Sequence, residues 1–177
     1  MTTKSKSSGV RFEHVLRGAG GLLVGAWLVK DQAEQFKKSR AEIDDPDGVA
    51  TICEEVGPIL DDWEPDHLGC EDEYVDDLYE YLCDVCIEGG GSAVEEIELR
   101  SGTPEGVPDI LIDDRLAIEV KCGLTKSERD RVVGQCAGYS REWVTWVVLI
   151  DTPMRRVREL EELLENKGLA HILVFSF

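Results

Sequence analysis

The stretch GVPDILIDDRLAIEVK, residues 106 to 121, constrains this chain more than any other. It holds two short apolar runs joined by a polar turn of Asp113, Asp114 and Arg115, the pattern of two strands and a tight connection. Asp109 opens the first run, and Glu119 and Lys121 close the second. Residues two apart on a strand share a face, so Glu119 and Lys121 point the same way. With Asp109 across from Glu119, all three converge, and Ile110, Ile112, Leu116, Ile118 and Val120 fill the opposite face. That register needs an odd-numbered loop, most simply Asp113 to Arg115 with one residue left-handed. Two carboxylates and an ammonium backed by an unbroken apolar face are costly for a hairpin that only supports a fold. They suit a hard divalent cation, which takes oxygen ligands and keeps several waters.

The flanking segments extend the pattern. Upstream, Glu73 to Glu88 predicts a helix and Ala93 to Leu99 a strand. Downstream come a helix (Ser127 to Trp143), a very hydrophobic strand (Val144 to Asp151), a helix (Arg155 to Lys167) and a strand (His171 to Phe175). Gln135 and Tyr139, four apart, share a face of the helix that follows Lys121.

Three features together resemble the PD-(D/E)xK, or restriction-endonuclease-like, nuclease superfamily: Pro108-Asp109 followed after nine residues by Glu119-Val120-Lys121, the order helix, three strands, helix, strand, and Gln135-x-x-x-Tyr139 as in its RecB-type members. The resemblance covers roughly residues 70 to 177. It implies an α/β fold with an αβββαβ core, a mixed central sheet flanked by helices. The implied activity is metal-dependent hydrolysis of DNA phosphodiester bonds, in repair, recombination or the processing of mobile-element or viral DNA. Asp109 and Glu119 would hold Mg²⁺ or Mn²⁺ with the Val120 backbone carbonyl as a third ligand, and Lys121 would orient the attacking water. The superfamily often adds a carboxylate from the first helix. Glu73, at the helix start, is the first choice, with Glu71, Glu80, Glu96 and Glu98 as alternatives. Gln135 and Tyr139 would hold the DNA strand or support the ligands, against the plainer role of a buried tyrosine packing its helix.

The net charge of −18 argues against a simple DNA-binding surface, but it is unevenly spread. Residues 1 to 40 carry +5, residues 41 to 114 carry −24 and residues 115 to 177 carry +1. Lys126, Arg129 and Arg131, with Arg141, Arg155, Arg156 and Arg158, are the candidate phosphate contacts in the balanced end, although for any single one of them an ordinary solvated helix face is the better reading. So acidic a composition fits a halophilic, salt-accumulating cytoplasm, where a Debye length of about 3 Å at 1 M salt screens both self-repulsion and long-range attraction to DNA. Two other function classes stay open: a catalytically inactive nuclease-fold binding module, and an acidic interaction protein tethered to a membrane.

The chain divides into a basic, glycine-rich apolar helical extension (1–40), an acidic linker (41–69) with one short helix from Asp47 to Leu60 interrupted near Gly57-Pro58, and the nuclease-like domain (70–177). Residues 18 to 29 are twelve apolar residues without a charge, short of the roughly 20 a spanning helix needs. They suit a docking or homo-oligomerising helix, with membrane association as the alternative; the expected compartment is the cytoplasm. Cys83-x-x-Cys86, with Cys53 and Cys70, has the count of a metal or cluster set, yet Cys83 and Cys86 fall inside the helical pattern Tyr74, Leu78, Leu82, Val85, where cysteine serves as a small hydrophobe. His14, His67 and His171 match no zinc or nucleophilic spacing, and Gly89-Gly90-Gly91 fits a helix stop.

Overall fold

The computed structural model describes residues 46–100 and 107–177. One sheet runs in the order β1-β2-β3-β4-β5, with β1 Ile97–Leu99, β2 Ile110–Ile112, β3 Leu116–Cys122, β4 Val144–Ile150 and β5 Leu173–Ser176. The pairings β1–β2 and β2–β3 are antiparallel, and β3–β4 and β4–β5 are parallel. Around it lie α1 (Pro46–Asp62), α2 (Glu71–Leu82), α3 (Lys126–Tyr139) and α4 (Met154–Asn166). The chain is therefore α/β, a mixed five-stranded sheet flanked by helices.

Strand alternation sorts the two faces. Ile110, Ile112, Leu116, Ile118 and Val120 join Trp146 and Val148 in a core built with Ile52, Val56 and Leu60 of α1 and Tyr74, Leu78 and Leu82 of α2. The other face sends Val147 and Leu149 against Val132, Val133 and Cys136 of α3 and Val157, Leu160 and Leu164 of α4. Each such side chain, fully buried, contributes about 1.5–3 kcal/mol. β4 is buried along its whole length because it has a strand on each side and helices on both faces. Helix α3 begins at a capping box, Thr125 with Glu128, which fixes where the chain turns after Lys121.

The hairpin has the register the alternation demands. Ile110 faces Ile118 and Ile112 faces Leu116, so the next step outward sets Asp109 against Glu119. The turn differs in one detail: both Asp113 (φ 49) and Asp114 (φ 54) are left-handed, where one such residue was expected. Asparate side chains tolerate that region by bonding locally, and Asp113 Oδ1 accepts from the Glu95 and Glu96 amides at 3.0 and 2.6 Å. Those amides are then lost to strand pairing, so β1 starts at Ile97 and not at Ala93.

Two segments depart from expectation upstream. The stretch read as a linker carries a continuous helix, α1, with Pro58 inside it. Val49, Ile52, Cys53, Val56 and Leu60 are all buried, so this helix belongs to the same core as the sheet. Proline gives up one backbone donor there, and the apolar periodicity outweighs that loss. Helix α2 continues as a π-helical turn, Cys83–Glu88, and stops at Gly89, with Gly90 at φ +80 in the conformation glycine favours. The extension over residues 1–40, with its apolar run 18–29, lies outside the described residues. Among the described residues no helix is long and apolar enough to cross a membrane.

Candidate functional site

Strand β3 is central, and a central strand is the costliest place for a charge. Glu119 is nevertheless 1 % exposed and Lys121 5 %. They sit on the same face as Leu111 and Ala117, which pack against Tyr139 of α3. Lys121 Nζ gathers four oxygens: Val120 O at 2.5 Å, Glu71 Oε1 at 2.8 Å, Glu119 Oε1 at 3.0 Å and Asp109 Oδ2 at 3.6 Å. Asp109 is held in place from behind, because its Oδ2 accepts from the Val120 amide at 2.7 Å. Asp109, Glu119 and Lys121 thus meet at one point, as the strand alternation required.

Burial raises the Asp109 carboxyl above the ordinary carboxylate range, with the Lys121 charge and the Val120 amide pulling the other way. Burial also raises Glu119, and the adjacent Asp109 charge adds to the effect. For Lys121 burial disfavours the ammonium, but Glu119, Asp109 and Glu71 outweigh it and hold the charged form well past its usual range. Glu119 remains poorly served: although Oε1 is 3.0 Å from the ammonium, neither oxygen accepts an aligned hydrogen bond. A buried carboxylate with an ion pair but no aligned hydrogen bond is the kind of group that makes a functional-site candidate.

The α2 carboxylate that reaches Lys121 is Glu71. Its Oε1 pairs with Lys121, and its Oε2 accepts weakly from the Cys122 amide at 3.4 Å. Glu73, the first choice from sequence, turns away: its Oε2 accepts from the Gly69 amide at 2.6 Å. The signal was present in the helix phase. Glu71 precedes Tyr74, Val75 and Leu78 by three, four and seven residues, and those three, with Leu82, are the buried face of α2. Glu80 and Glu96 are exposed, and Glu98 pairs with Arg100 at 2.6 Å.

Tyr139 is 2 % exposed and points inward. Its hydroxyl donates to Val107 O at 2.8 Å and accepts from Gln135 Nε2 at 3.3 Å. Burial and the nearby Glu119 charge both raise its pKa, so the phenol stays protonated. The Gln135–Tyr139 pair therefore ties α3 to the segment just before Pro108-Asp109, and Tyr139 offers no surface to a DNA strand. Among the candidate phosphate contacts, Lys126, Arg131, Arg141, Arg155 and Arg158 are exposed. Arg129 is not: it bridges α3 to Glu159 of α4 at 3.2 Å, where Arg155 and Arg156 also converge at 2.9 and 2.8 Å.

Two of the cysteines border the site: the Cys122 amide contacts Glu71, and the Cys136 thiol feels the Glu119 and Lys121 charges. All six are free thiols. Burial pushes Cys53 up to about 12 and Cys86 up to about 11, as expected of thiols packed as small hydrophobes in the core. His67 is exposed on a loop, and burial lowers His171 from its usual value.

Among the described residues no group of three or more histidine, cysteine, aspartate or glutamate side chains stands ready to hold a metal ion. A smaller set fits a hard divalent cation: Asp109, Glu119 and the Val120 carbonyl, three oxygens that already converge on one cationic nitrogen. Mg²⁺ needs no more, since it is commonly held by one or two carboxylates and completes its shell with water and substrate phosphate. Compared with models of protein families, with curated proteins and with solved structures, the chain matches none.

Proposed function

We propose that this protein is a Mg²⁺- or Mn²⁺-dependent deoxyribonuclease with a restriction-endonuclease-like core, β1 to β4 with α2 and α3. The observation that carries the reading is the convergence of Asp109, Glu119 and the Val120 carbonyl on one point at the end of a buried strand, with Lys121 among them. A structural ion pair does not need two further carboxylates around one lysine, and a buried Glu119 without aligned hydrogen bonds costs stability.

Asp109 and Glu119 would hold the ion, with Val120 O as the third ligand. A bound divalent ion supplies a water of lowered pKa and polarises the scissile phosphate. Lys121, still charged at neutral pH, orients that water and offsets the negative charge that grows on the phosphate oxygens. Tyr139 and Gln135 fix the approach of the Val107-Pro108-Asp109 segment. Lys126 and Arg131, exposed on α3, which starts just after Lys121, supply phosphate contacts.

The test is incubation of the pure protein with linear, circular and branched DNA, with Mg²⁺ or Mn²⁺, at high salt. Cleavage that requires the ion and stops on chelation is the expected result. A protein that binds DNA but never cuts it under any of these conditions is a binding module, and the proposal fails.

A further inference from the structure

Lys121 Nζ stands among the oxygens a divalent ion would need: Val120 O at 2.5 Å, Glu119 Oε1 at 3.0 Å and Asp109 Oδ2 at 3.6 Å. The fourth contact, Glu71 Oε1 at 2.8 Å, comes from another element. We propose that the Lys121 ammonium and a divalent ion exclude one another from a single seat, and that Glu71 is the positioning residue that receives the ammonium when the ion enters. This inference rests on the metal site proposed above and adds a rule for how it fills.

The physical case begins with distance. An ion bound by Asp109, Glu119 and Val120 O at the roughly 2.0–2.1 Å typical of Mg²⁺ would lie almost on top of the ammonium. Two cations cannot share that space, and repulsion between them is strongest where water is scarce. The lysine side chain is 7 % exposed and Glu119 1 %, so the seat is such a place. Glu71 differs from the other partners: its side chain is 37 % exposed and lies at the rim. Its second oxygen rests on the Cys122 amide at 3.4 Å, which tethers the carboxylate to the end of β3 while Oε1 serves the lysine. As the ion takes the three inner oxygens, Nζ keeps this one partner. The ammonium then stands at the edge of the seat, where an attacking water and a phosphate would be met. Glu71 thereby lowers the cost of evicting Lys121 without itself touching the ion.

The full chain is titrated with Ca²⁺ alone by calorimetry, at fixed ionic strength, as wild type, Lys121→Met, Glu71→Gln and the double variant. Thermal melting confirms that each is folded. Lys121→Met is expected to bind about tenfold more tightly than wild type, and Glu71→Gln about tenfold more weakly. In the Lys121→Met background, Glu71→Gln is expected to change affinity by less than about threefold, because its effect acts through the lysine. Equal or weaker binding by Lys121→Met overturns the inference, as does the same loss from Glu71→Gln in both backgrounds, which would make Glu71 a ligand. A readout on wild type alone covers a variant that does not fold: the NMR shift of the Lys121 Cε should move with Ca²⁺ at the calorimetric midpoint, and a shift that does not move refutes eviction. If neither wild type nor Lys121→Met binds Ca²⁺ at millimolar concentration, the metal site itself is wrong and the inference falls with it. A wild type that binds while Lys121→Met gains nothing removes the inference alone.

Discussion

Replacing Tyr139 by Phe isolates one hydroxyl beside the candidate site. The ring is retained against Leu111, Ala117 and Trp143, so no cavity opens. What goes is a hydrogen bond to Val107 O at 2.8 Å and one from Gln135 Nε2 at 3.3 Å. The first is worth about 1 kcal/mol net, and the second less because it is long. Gln135 Oε1 already lacks a partner, so its amide is then left without the Tyr139 contact as well, adding a desolvation cost. The total is about 1–2.5 kcal/mol. For a domain of this size each kcal/mol shifts the melting temperature by about 2–4 °C, so a fall of roughly 2–10 °C is expected. Val107 lies two residues before Asp109, so the same change should weaken divalent-ion binding by loosening that carboxylate. Urea unfolding and calorimetric ion titration, run on both proteins, measure the two effects. Unchanged stability with unchanged ion affinity would refute the positioning argument. Unchanged stability with weakened DNA binding would show that Tyr139 contacts the strand instead.

Further outcomes follow from the same geometry. Lys121→Ala should bind the ion at least as tightly as wild type while losing most cleavage, whereas Asp109→Ala should lose both; equal ion affinity in the two, by calorimetry, would mean the roles are wrongly assigned. Glu73→Gln should cost about 0.5–1 kcal/mol through the weakened negative charge at the start of α2, with cleavage unchanged, since Glu73 serves the Gly69 amide and not Lys121. Burial raises Cys53 and Cys136 to about 12 and Cys86 to about 11 in the fold. These thiols ionise more easily in the unfolded chain, near pH 8.5. Their contribution is therefore intact below that pH and is lost as pH rises toward 11–12, a decline that unfolding at stepped pH would record. In native protein at pH 8, alkylation followed by mass spectrometry should mark exposed Cys70 well before these three.

The hairpin and its three charged residues were legible because alternation over Ile110–Ile112 and Leu116–Cys122 admits only one register that buries the apolar face. The order of elements after Lys121 was legible too, since β4 is very hydrophobic and buried throughout, although the helix before it starts at Lys126 behind a Thr125–Glu128 capping box and ends at Tyr139, not Trp143. Other features depend on contacts that sequence spacing does not carry. Glu73 was preferred to Glu71 because the helix start was placed two residues late, and a shift of two residues rotates a side chain to the other side of a helix. α1 was broken at Pro58 on local propensity, although Val49, Ile52, Cys53, Val56 and Leu60 continue one buried stripe past it. β1 is short because an aspartate eighteen residues downstream of Glu95 takes its amides. Arg129 reads as a solvated cation until α4 brings Glu159 against it.

The proposed hydrolysis of DNA by Asp109, Glu119 and Lys121 through a bound divalent ion stands or falls on one cleavage experiment. Its most direct test follows supercoiled circular DNA with wild type and with Glu119→Gln, purified identically, in Mg²⁺ and after chelation. Nicking or degradation by wild type in Mg²⁺ is expected, with none after chelation and at least a hundredfold loss, on the order of a removed catalytic group, in the variant. Cleavage that survives chelation, or that is equal with and without the Glu119 carboxylate, would contradict it.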